Sequence, residues 1–329
     1  MGKILSISIA AYNVEKYIEQ ALESIIQSGV IDDIEVFVVD DGGTDKTYQI
    51  AQQYQEKYPE SIFAVHKTNG GYGSTVNYSI STAHGKYFKL LDGDDWFDSK
   101  GLSALVQKLK SIDSDLVITK YYKGYDKDHL VEENYFATTP DRQMEIGDFN
   151  PPKSIGMWPM TLKTEVLRKS NVILPEHRLY TDQFYSTIPL SLVETVMYLD
   201  INVYCYRTDR NGQSTSKEVR IKHYDDTINN FEAILEFYNG LGNCPSKKLI
   251  LQRVVAYYRG AINVLLLLPK SQENLQKIID IEKKMKSNNS IIYKLAGKNG
   301  RTGMMISALR LTNYKLYWKK DLFDSFRKN

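Results

Sequence analysis

Cysteine is nearly absent from this chain of 329 residues, which contains only two, Cys205 and Cys244. Neither belongs to a C-x-x-C pair or stands beside a cluster of histidines. Disulfide scaffolds and structural zinc sites need several cysteines at close spacing, so the sequence excludes both. This sparse cysteine usage fits a reducing compartment, and we expect a cytoplasmic protein.

Long hydrophobic runs are also missing. The longest, AINVLLLL from Ala261 to Leu268, contains an asparagine and is far shorter than the roughly 20 apolar residues of a membrane-spanning helix. The first residues, MGKILSISIAAYN, lack the basic and then apolar layout of a signal peptide. The sequence therefore predicts neither export nor a transmembrane helix, and it leaves open a peripheral position at the inner face of a membrane.

Net charge is small, at +2. Bulk electrostatics therefore does not indicate nucleic-acid binding, and we predict no nucleic-acid partner. The charge is uneven, because residues 270–329 contain 14 Lys and Arg against 5 Asp and Glu, a surplus of +9 that leaves −7 for residues 1–269. With 42% hydrophobic and 25% charged side chains, the composition is that of a globular protein with one large domain or two smaller ones.

Strand and helix signals alternate through the first 92 residues. Four apolar runs have the length of buried strands, and helical spacing follows each of the first three. We interpret Asn13 as the N-cap of the first helix and Thr44 as the N-cap of the second. The predicted strands are Ile4–Ile9, Ile34–Val39, Ile62–His66 and Tyr87–Leu91. This alternation predicts an α/β domain with a mainly parallel, Rossmann-like central sheet.

Polar residues come directly after all four predicted strands. Ligands of such sheets bind outside the carboxyl ends of the strands, which share one edge. The four polar segments are Ala11–Asn13, Asp40–Gly42, Lys67–Gly71 and Asp92–Asp95. Because helix caps alone would not place polar residues after every strand, the pattern indicates a shared site.

The alternation stops after a further predicted strand, Asp115–Tyr122. The segment 140–160 contains prolines and glycines that break it, and Met197–Tyr206 is a later predicted strand. From Ile221 onward the pattern is helical. We place a boundary near residue 218, which predicts an α/β domain over residues 1–218 and an α-helical C-terminal extension over residues 219–329.

The segment LLDGDDWFD, residues 90–98, gathers four carboxylates behind an apolar strand. Like charges this close repel, and burying a carboxylate is costly unless a cation compensates it. A solvated turn is one interpretation. The other is that Asp92 and Asp94 present oxygens to one hard cation, which in turn binds a diphosphate. Trp96 stands where an EF-hand needs an oxygen ligand, which excludes that motif, and Asp98 is predicted to cap the next helix.

Two glycine-containing segments complete the predicted edge. Asp40–Gly43 fits a tight turn, and its acidic pair can also accept hydrogen bonds from a nucleobase or a ribose. Asn69–Gly73, NGGYG, is similar to a phosphate cradle but matches neither G-x-G-x-x-G nor the P-loop pattern. Dinucleotide-binding and P-loop proteins are therefore excluded.

These motifs together resemble those of family 2 glycosyltransferases, which have the GT-A fold and use nucleotide-diphosphate sugars. The similarity covers residues 4–120 and continues past Asp182 to Gln213–Ser214. Five separated motifs agree in order and spacing, and they are Ser6–Asn13, Val38–Asp45, Asn69–Asn77, Leu91–Asp95 and Tyr180–Gln183.

The resemblance implies a role for each matching residue. Asp182 corresponds to the catalytic base of an inverting transfer, and Asp94 with Asp92 corresponds to the pair that holds Mn²⁺ or Mg²⁺. The positions that correspond to nucleotide-sugar contacts are Ala10, Tyr12, Asp40, Asp41, Asn69, Gly70, Asn77, Asp92, Arg207 and Ser214. The implied reaction moves a sugar from a nucleotide-diphosphate sugar, with a UDP-sugar favoured, to a hydroxyl of a saccharide, lipid-linked or protein-linked glycan. The implied setting is bacterial surface polysaccharide synthesis.

Three positions leave alternatives open. Trp158 can stack on an acceptor sugar or pack as a buried tryptophan. Val76 stands where the family usually has Arg, and Thr181 where it has Glu. These two departures favour, as an alternative, a catalytically silent sugar-binding or assembly subunit. A nucleotidyltransferase is another alternative, because it also places acidic pairs near a nucleotide phosphate.

The basic end of the chain, residues 301–328, interleaves seven Lys and Arg with leucines and aromatic residues. A terminal helix packed on the body of the protein and docking on a membrane surface explain this pattern equally well. Homo-oligomerisation is left open.

Overall fold

A computed structural model describes residues 2–133, 139–208 and 213–319. Within these ranges the residues fall into two compact units. The first unit is drawn from residues 1–211 and 241–249, and the second from residues 212–240 and 250–329. The predicted domain boundary near residue 218 stays a prediction.

The first unit contains a ten-stranded mixed sheet. Its strands are β1 (Leu5–Ala11), β2 (Ile34–Asp40), β3 (Ile62–His66), β4 (Tyr87–Asp92), β5 (Trp96–Phe97), β6 (Leu116–Gly124), β7 (Leu130–Glu133), β8 (Gln143–Glu145), β9 (Met160–Lys163) and β10 (Thr195–Arg207). The helices of this unit are α1 (Ile18–Ile26), α2 (Thr47–Lys57), α3 (Tyr72–Thr82), α4 (Ser99–Ser111), α5 (Thr164–Lys169) and α6 (Asp182–Tyr185).

The sheet runs in the order β3-β2-β1-β4-β9-β6-β10-β5, with β7 paired to β6 and β8 paired to β10. Parallel ladders join β3, β2, β1 and β4 in succession and join β6 to β10. The antiparallel ladders are short, and they attach β5, β7, β8 and β9. Together with the helices after residue 213, this architecture confirms the predicted α/β GT-A class and its mostly parallel central sheet.

The central strands are buried on both faces. All seven residues of β2 are buried, and six of the seven residues of β1 are buried. Helices cover both faces of a parallel sheet, so its strands are apolar almost without interruption. This is why the apolar runs of the sequence mark these strands so clearly.

The two helix caps predicted for the loops after β1 and β2 are wrong. Helix α1 begins after Tyr17, whereas Asn13 has a left-handed φ of 52° and accepts hydrogen bonds from the backbone N–H groups of Thr44 and Asp45 at 2.8 and 3.3 Å. Asp45 in turn accepts from the N–H of Thr47, the first residue of α2, at 2.9 Å. Asn13 therefore joins the two loops instead of capping a helix.

The predicted cap of α4 is confirmed. Asp98 occupies the N-cap position with extended backbone, and its carboxylate accepts a hydrogen bond from the N–H of Gly101 at 2.7 Å. The last of the four carboxylates in the acidic segment thus has a structural role that is separate from the other three.

The second unit is helical. The helices after residue 213 are α7 (Lys217–Lys222), α8 (Tyr224–Gly240), α9 (Lys247–Leu267), α10 (Gln272–Asn288), α11 (Ser290–Ala296) and α12 (Gly300–Leu311). Arg310 of α12 donates two hydrogen bonds, at 2.6 and 2.9 Å, to the buried carboxylate of Glu282 in α10. Tyr258 also donates to this carboxylate. None of the helices in the described ranges combines the length and apolar composition that spanning a membrane requires.

Candidate active site

The carboxyl ends of the central strands meet at one edge of the sheet, as the sequence predicts. The register pairs Ala10 of β1 with Asp92 of β4, and Ala11 with Asp40 of β2. Tyr12 follows β1 and is 54% exposed. The fold therefore brings Ala10, Tyr12, Asp40 and Asp92 to the same level of this edge.

Three carboxylates crowd together in the turn after β4. Asp92, Asp94 and Asp95 each place a carboxylate oxygen within 4.8 Å of the others. Asp95 is buried and held in place, because the Tyr204 hydroxyl donates to one of its oxygens at 2.5 Å and the N–H of Arg207 donates to the other at 2.7 Å. Burial, and then the charges of Asp92 and Asp94, raise the pKa of Asp95 well above its ordinary value. Asp92 and Asp94 are partly exposed, so they are the carboxylates that a cation could reach.

The side chain of Arg207 supports this acidic turn. Its guanidinium donates to the carbonyl of Asp94 at 2.7 Å, to the carbonyl of Tyr125 at 3.0 Å and to the side chain of Gln20 at 2.6 Å. It also lies 4.6 Å from the ring centroid of Trp96. The role in donor binding that the resemblance implies for Arg207 stays a prediction. Ser214 is exposed and belongs to the second unit, and its implied role in donor binding also stays a prediction.

The two carboxylates after β2 have different surroundings. Asp41 accepts hydrogen bonds from four donors. Three belong to the loop after β3, and these are Lys67 Nζ at 2.9 Å, Gly70 N at 3.0 Å and Gly71 N at 2.7 Å. The fourth is Ser74 Oγ in the first turn of α3, at 3.1 Å. One oxygen of Asp40 contacts His66 Nδ1 at 2.6 Å. The other oxygen of Asp40 is buried and has no hydrogen-bond partner among the described residues. Asp41 therefore orders the loop, while Asp40 offers an unused acceptor.

The glycines of NGGYG let the segment 174–182 approach closely. The carbonyl of Gly70 accepts from His177 N at 2.6 Å, and a Cβ at Gly73 would lie 2.2 Å from the carbonyl oxygen of Pro175. Asn77 holds the same segment, because its amide exchanges two 2.9 Å hydrogen bonds with the backbone of Leu174. We call residues 174–182 the strap. At its end lies Asp182, the first residue of α6.

Tyr72 is the first residue of α3, and the sequence predicted no role for it. Burial raises the pKa of Tyr72 far above its ordinary value, and the charges of Asp92 and Asp182 raise it further. The hydroxyl donates to Met157 Sδ at 3.3 Å. The signal that could have identified Tyr72 is its place inside NGGYG at the carboxyl end of β3.

Trp158 belongs to an aromatic cluster. Its ring centroid lies 5.4 Å from that of Tyr121 and 4.9 Å from that of Tyr206. Lys89 of β4 donates to its backbone carbonyl at 2.8 Å, and burial lowers the pKa of Lys89 to about 7. The indole N–H of Trp158 is buried without a hydrogen-bond partner in the described ranges. Trp158 thus packs like a structural tryptophan and still has one unused donor.

Replacing Asn77 with leucine should loosen the strap. The substitution leaves the N–H and C=O of Leu174 without their partners, which should lower the free energy of unfolding by about 2 kcal/mol. Hydrogen exchange measured by mass spectrometry should show lost protection in the strap. Ser81→Ala, at an exposed position on the same helix, serves as the control and should leave that protection unchanged. Equal protection of the strap in Asn77→Leu would contradict the assigned contact.

Comparison with known proteins now identifies the family. The family model described as "Glycosyl transferase family 2" matches residues 6–165, which contain β1 to β4 and the acidic turn. The chain is 28% identical over 251 residues to the uncharacterized glycosyltransferase EpsJ of Bacillus subtilis, covering 74% of this chain and 72% of EpsJ. Residues 6–165 belong to the family 2 glycosyltransferases. The chain is therefore an enzyme of the glycosyltransferase class, as the resemblance implied.

Solved structures share the fold of this glycosyltransferase. The crystal structure of Staphylococcus aureus TarS 1–349 in complex with UDP-GlcNAc superposes with a TM-score of 0.72 at 19% identity, covering 96% of this chain and 90% of that one. In sequence, the poly(ribitol-phosphate) β-N-acetylglucosaminyltransferase TarS is 26% identical over 64% of this chain, which spans 36% of the length of TarS. The mannosyltransferase PcManGT from Pyrobaculum calidifontis, in complex with GDP-Man and Mn²⁺, has a TM-score of 0.55 at 15% identity, covering 99% of this chain and 84% of that one.

Proposed function

We propose that this glycosyltransferase transfers a sugar from a UDP-sugar to a hydroxyl of a saccharide or polyol-phosphate polymer in bacterial surface polysaccharide synthesis, with inversion at the anomeric carbon. The observation that carries the proposal is the cluster of three carboxylates in the acidic turn, Asp92, Asp94 and Asp95, whose oxygens lie within 4.8 Å of one another. The acidic turn follows β4, which pairs with β1, and β1 pairs on its other side with β2, which ends at Asp40. A site for a metal and diphosphate and a site for a nucleoside would thus lie along one edge of the sheet.

The nucleotide would bind at the ends of β1 and β2. The unused oxygen of Asp40 is a buried acceptor, and a ring N–H of a nucleobase would satisfy it. Tyr12 offers an exposed ring for stacking, and Ala10 lies two residues before it, paired with Val39 of β2. Asp41, Asn69, Gly70 and Asn77 act in this proposal by shaping the loop and the strap around the donor. The UDP-GlcNAc bound by TarS 1–349 supports UDP as the nucleotide.

The acidic turn fits a divalent metal. Mg²⁺ and Mn²⁺ prefer carboxylate oxygens, and three carboxylates lie within reach of one another here. Asp92 and Asp94 would hold the ion, while Asp95 stays bound to Tyr204 and Arg207. When bound, the ion would neutralise charge on the departing nucleoside diphosphate. The Mn²⁺ complex of PcManGT supports this assignment.

Asp182 would act as the general base. It would accept the proton of an acceptor hydroxyl as that oxygen attacks the anomeric carbon from the face opposite the diphosphate. Inverting glycosidases follow the same displacement logic, with water in place of the sugar hydroxyl. Trp158, with its unused indole N–H and its aromatic neighbours, would contact the acceptor. The poly(ribitol-phosphate) named for TarS supports a polymeric acceptor.

The proposal is tested by the product that the purified enzyme releases. With a UDP-sugar and Mn²⁺ we expect UDP and slow donor hydrolysis, and a thermal-shift screen of UDP, GDP, dTDP and CDP sugars should select the UDP series. Pyrophosphate formation from a nucleoside triphosphate would instead indicate a nucleotidyltransferase. If no sugar nucleotide is hydrolysed or transferred, the proposed reaction is wrong.

A further inference from the structure

Helix α12 of the second unit has two apolar sides. On one side, Met305, Ile306 and Leu309 are buried, so packing within the protein explains why that side is apolar. Met304 and Leu311 are 58% and 86% exposed, and positions seven apart lie on the same side of a helix about 10 Å from each other. A surface helix normally carries charged or polar residues on its outer side. Packing within the protein therefore does not explain why the outer side of this helix is apolar.

The segment that contains this outer face is cationic. Residues 283–319 contain nine Lys and Arg and no Asp or Glu, and two of the nine, Lys284 and Arg310, pair with Glu232 and Glu282. Arg301, one turn before Met304, is exposed, and so are Lys315 and Lys319. Trp318 is 47% exposed between these two lysines. Apolar, aromatic and positively charged side chains are thus all exposed within one segment of 19 residues.

We propose that this surface, defined by Arg301, Met304, Leu311, Lys315, Trp318 and Lys319, docks on an anionic lipid bilayer. Cations attract anionic headgroups, and tryptophan and aliphatic side chains enter the boundary between headgroups and acyl chains. A soluble polyanion would pair with the same cations but would leave Met304, Leu311 and Trp318 in water. The exposed apolar residues therefore favour lipid over a polyanion.

Residues 320–328, the rest of the predicted basic segment, including Phe323, lie outside the described residues. The inference does not depend on the proposed reaction.

The test is co-sedimentation of the full chain with vesicles. Wild-type protein should bind vesicles of equimolar phosphatidylcholine and phosphatidylglycerol, should not bind pure phosphatidylcholine, and should dissociate as salt rises. Leu311→Ser and Trp318→Ser should each weaken binding about tenfold, and Lys315→Glu should weaken it at low salt. Ile173→Ser, at a 74% exposed position of the first unit, is the matched control and should bind like the wild type.

Several results would overturn the proposal. Equal binding to both kinds of vesicle, or wild-type binding by Leu311→Ser and Trp318→Ser, would exclude this surface as the lipid contact. Loss of folding in Leu311→Ser and Trp318→Ser, seen as a lower melting temperature, would show that the face is packed within the chain. A dimer that Leu311→Ser dissociates would assign the face to a second copy. Vesicle binding that polyphosphate displaces, and that neither apolar substitution weakens, would assign it to polyanions.

Discussion

Replacing Asp182 with asparagine should lower the rate of sugar transfer by at least about a hundredfold while the fold and the affinity for donor stay unchanged. A general base contributes about 10²–10⁴-fold to rate, and an amide of the same shape cannot accept the proton. The N-cap position of α6 belongs to Thr181, so the substitution does not remove a helix cap. The expected loss is therefore chemical rather than structural.

The measurement is UDP release in the presence of acceptor, with melting temperature and calorimetric donor affinity recorded on the same preparation. Asp98→Ala is the control, because Asp98 caps α4. Its loss should lower the free energy of unfolding by about 1 kcal/mol without changing turnover of the folded enzyme. Near-normal turnover of Asp182→Asn combined with weaker folding would give Asp182 a structural role and leave the enzyme without an identified base.

Replacing Asp94 with asparagine should weaken Mn²⁺-dependent binding of UDP by at least about a hundredfold. Loss of a residue that only hydrogen-bonds to a metal ligand already costs about 10–100-fold in metal affinity, and loss of a ligand should cost at least as much. Asp94 is partly exposed, and its backbone carbonyl accepts a hydrogen bond from Arg207 whichever side chain is present. The turn should therefore keep its shape in the variant.

Titration calorimetry of UDP, with Mn²⁺ and with EDTA, gives a readout that is independent of turnover. Wild-type enzyme should bind UDP measurably only with the metal, because a diphosphate and an acidic cluster repel each other. Asp94→Asn should show the same weak affinity under both conditions, and the control Asp98→Ala should behave like the wild type. Equal affinity of the wild type in EDTA would exclude a metal bridge between the turn and the diphosphate.

The sequence by itself determined the central sheet and the class of the enzyme. Buried parallel strands are apolar on both faces, so the residues of β1 to β4 form runs that local pattern alone identifies. The carboxyl ends of parallel strands share an edge, so the sequence alone predicts that the motifs containing Tyr12, Asp40 and Asp92 meet there. The cap at Asp98 was also predictable, because its hydrogen bond spans only three residues.

Only the tertiary structure decided which groups support those motifs. Asn13 bonds to a loop 31 residues away instead of capping a helix. Asp95 is held by Tyr204, 109 residues later, and Asn77 holds the strap 97 residues later. The strap shows the same effect, since Pro175 and His177 pack against Gly73 and Gly71, about 100 residues earlier in the chain. Such contacts leave no periodic pattern in the local sequence, because they join segments that are far apart in the chain. They could therefore not be predicted without the tertiary structure.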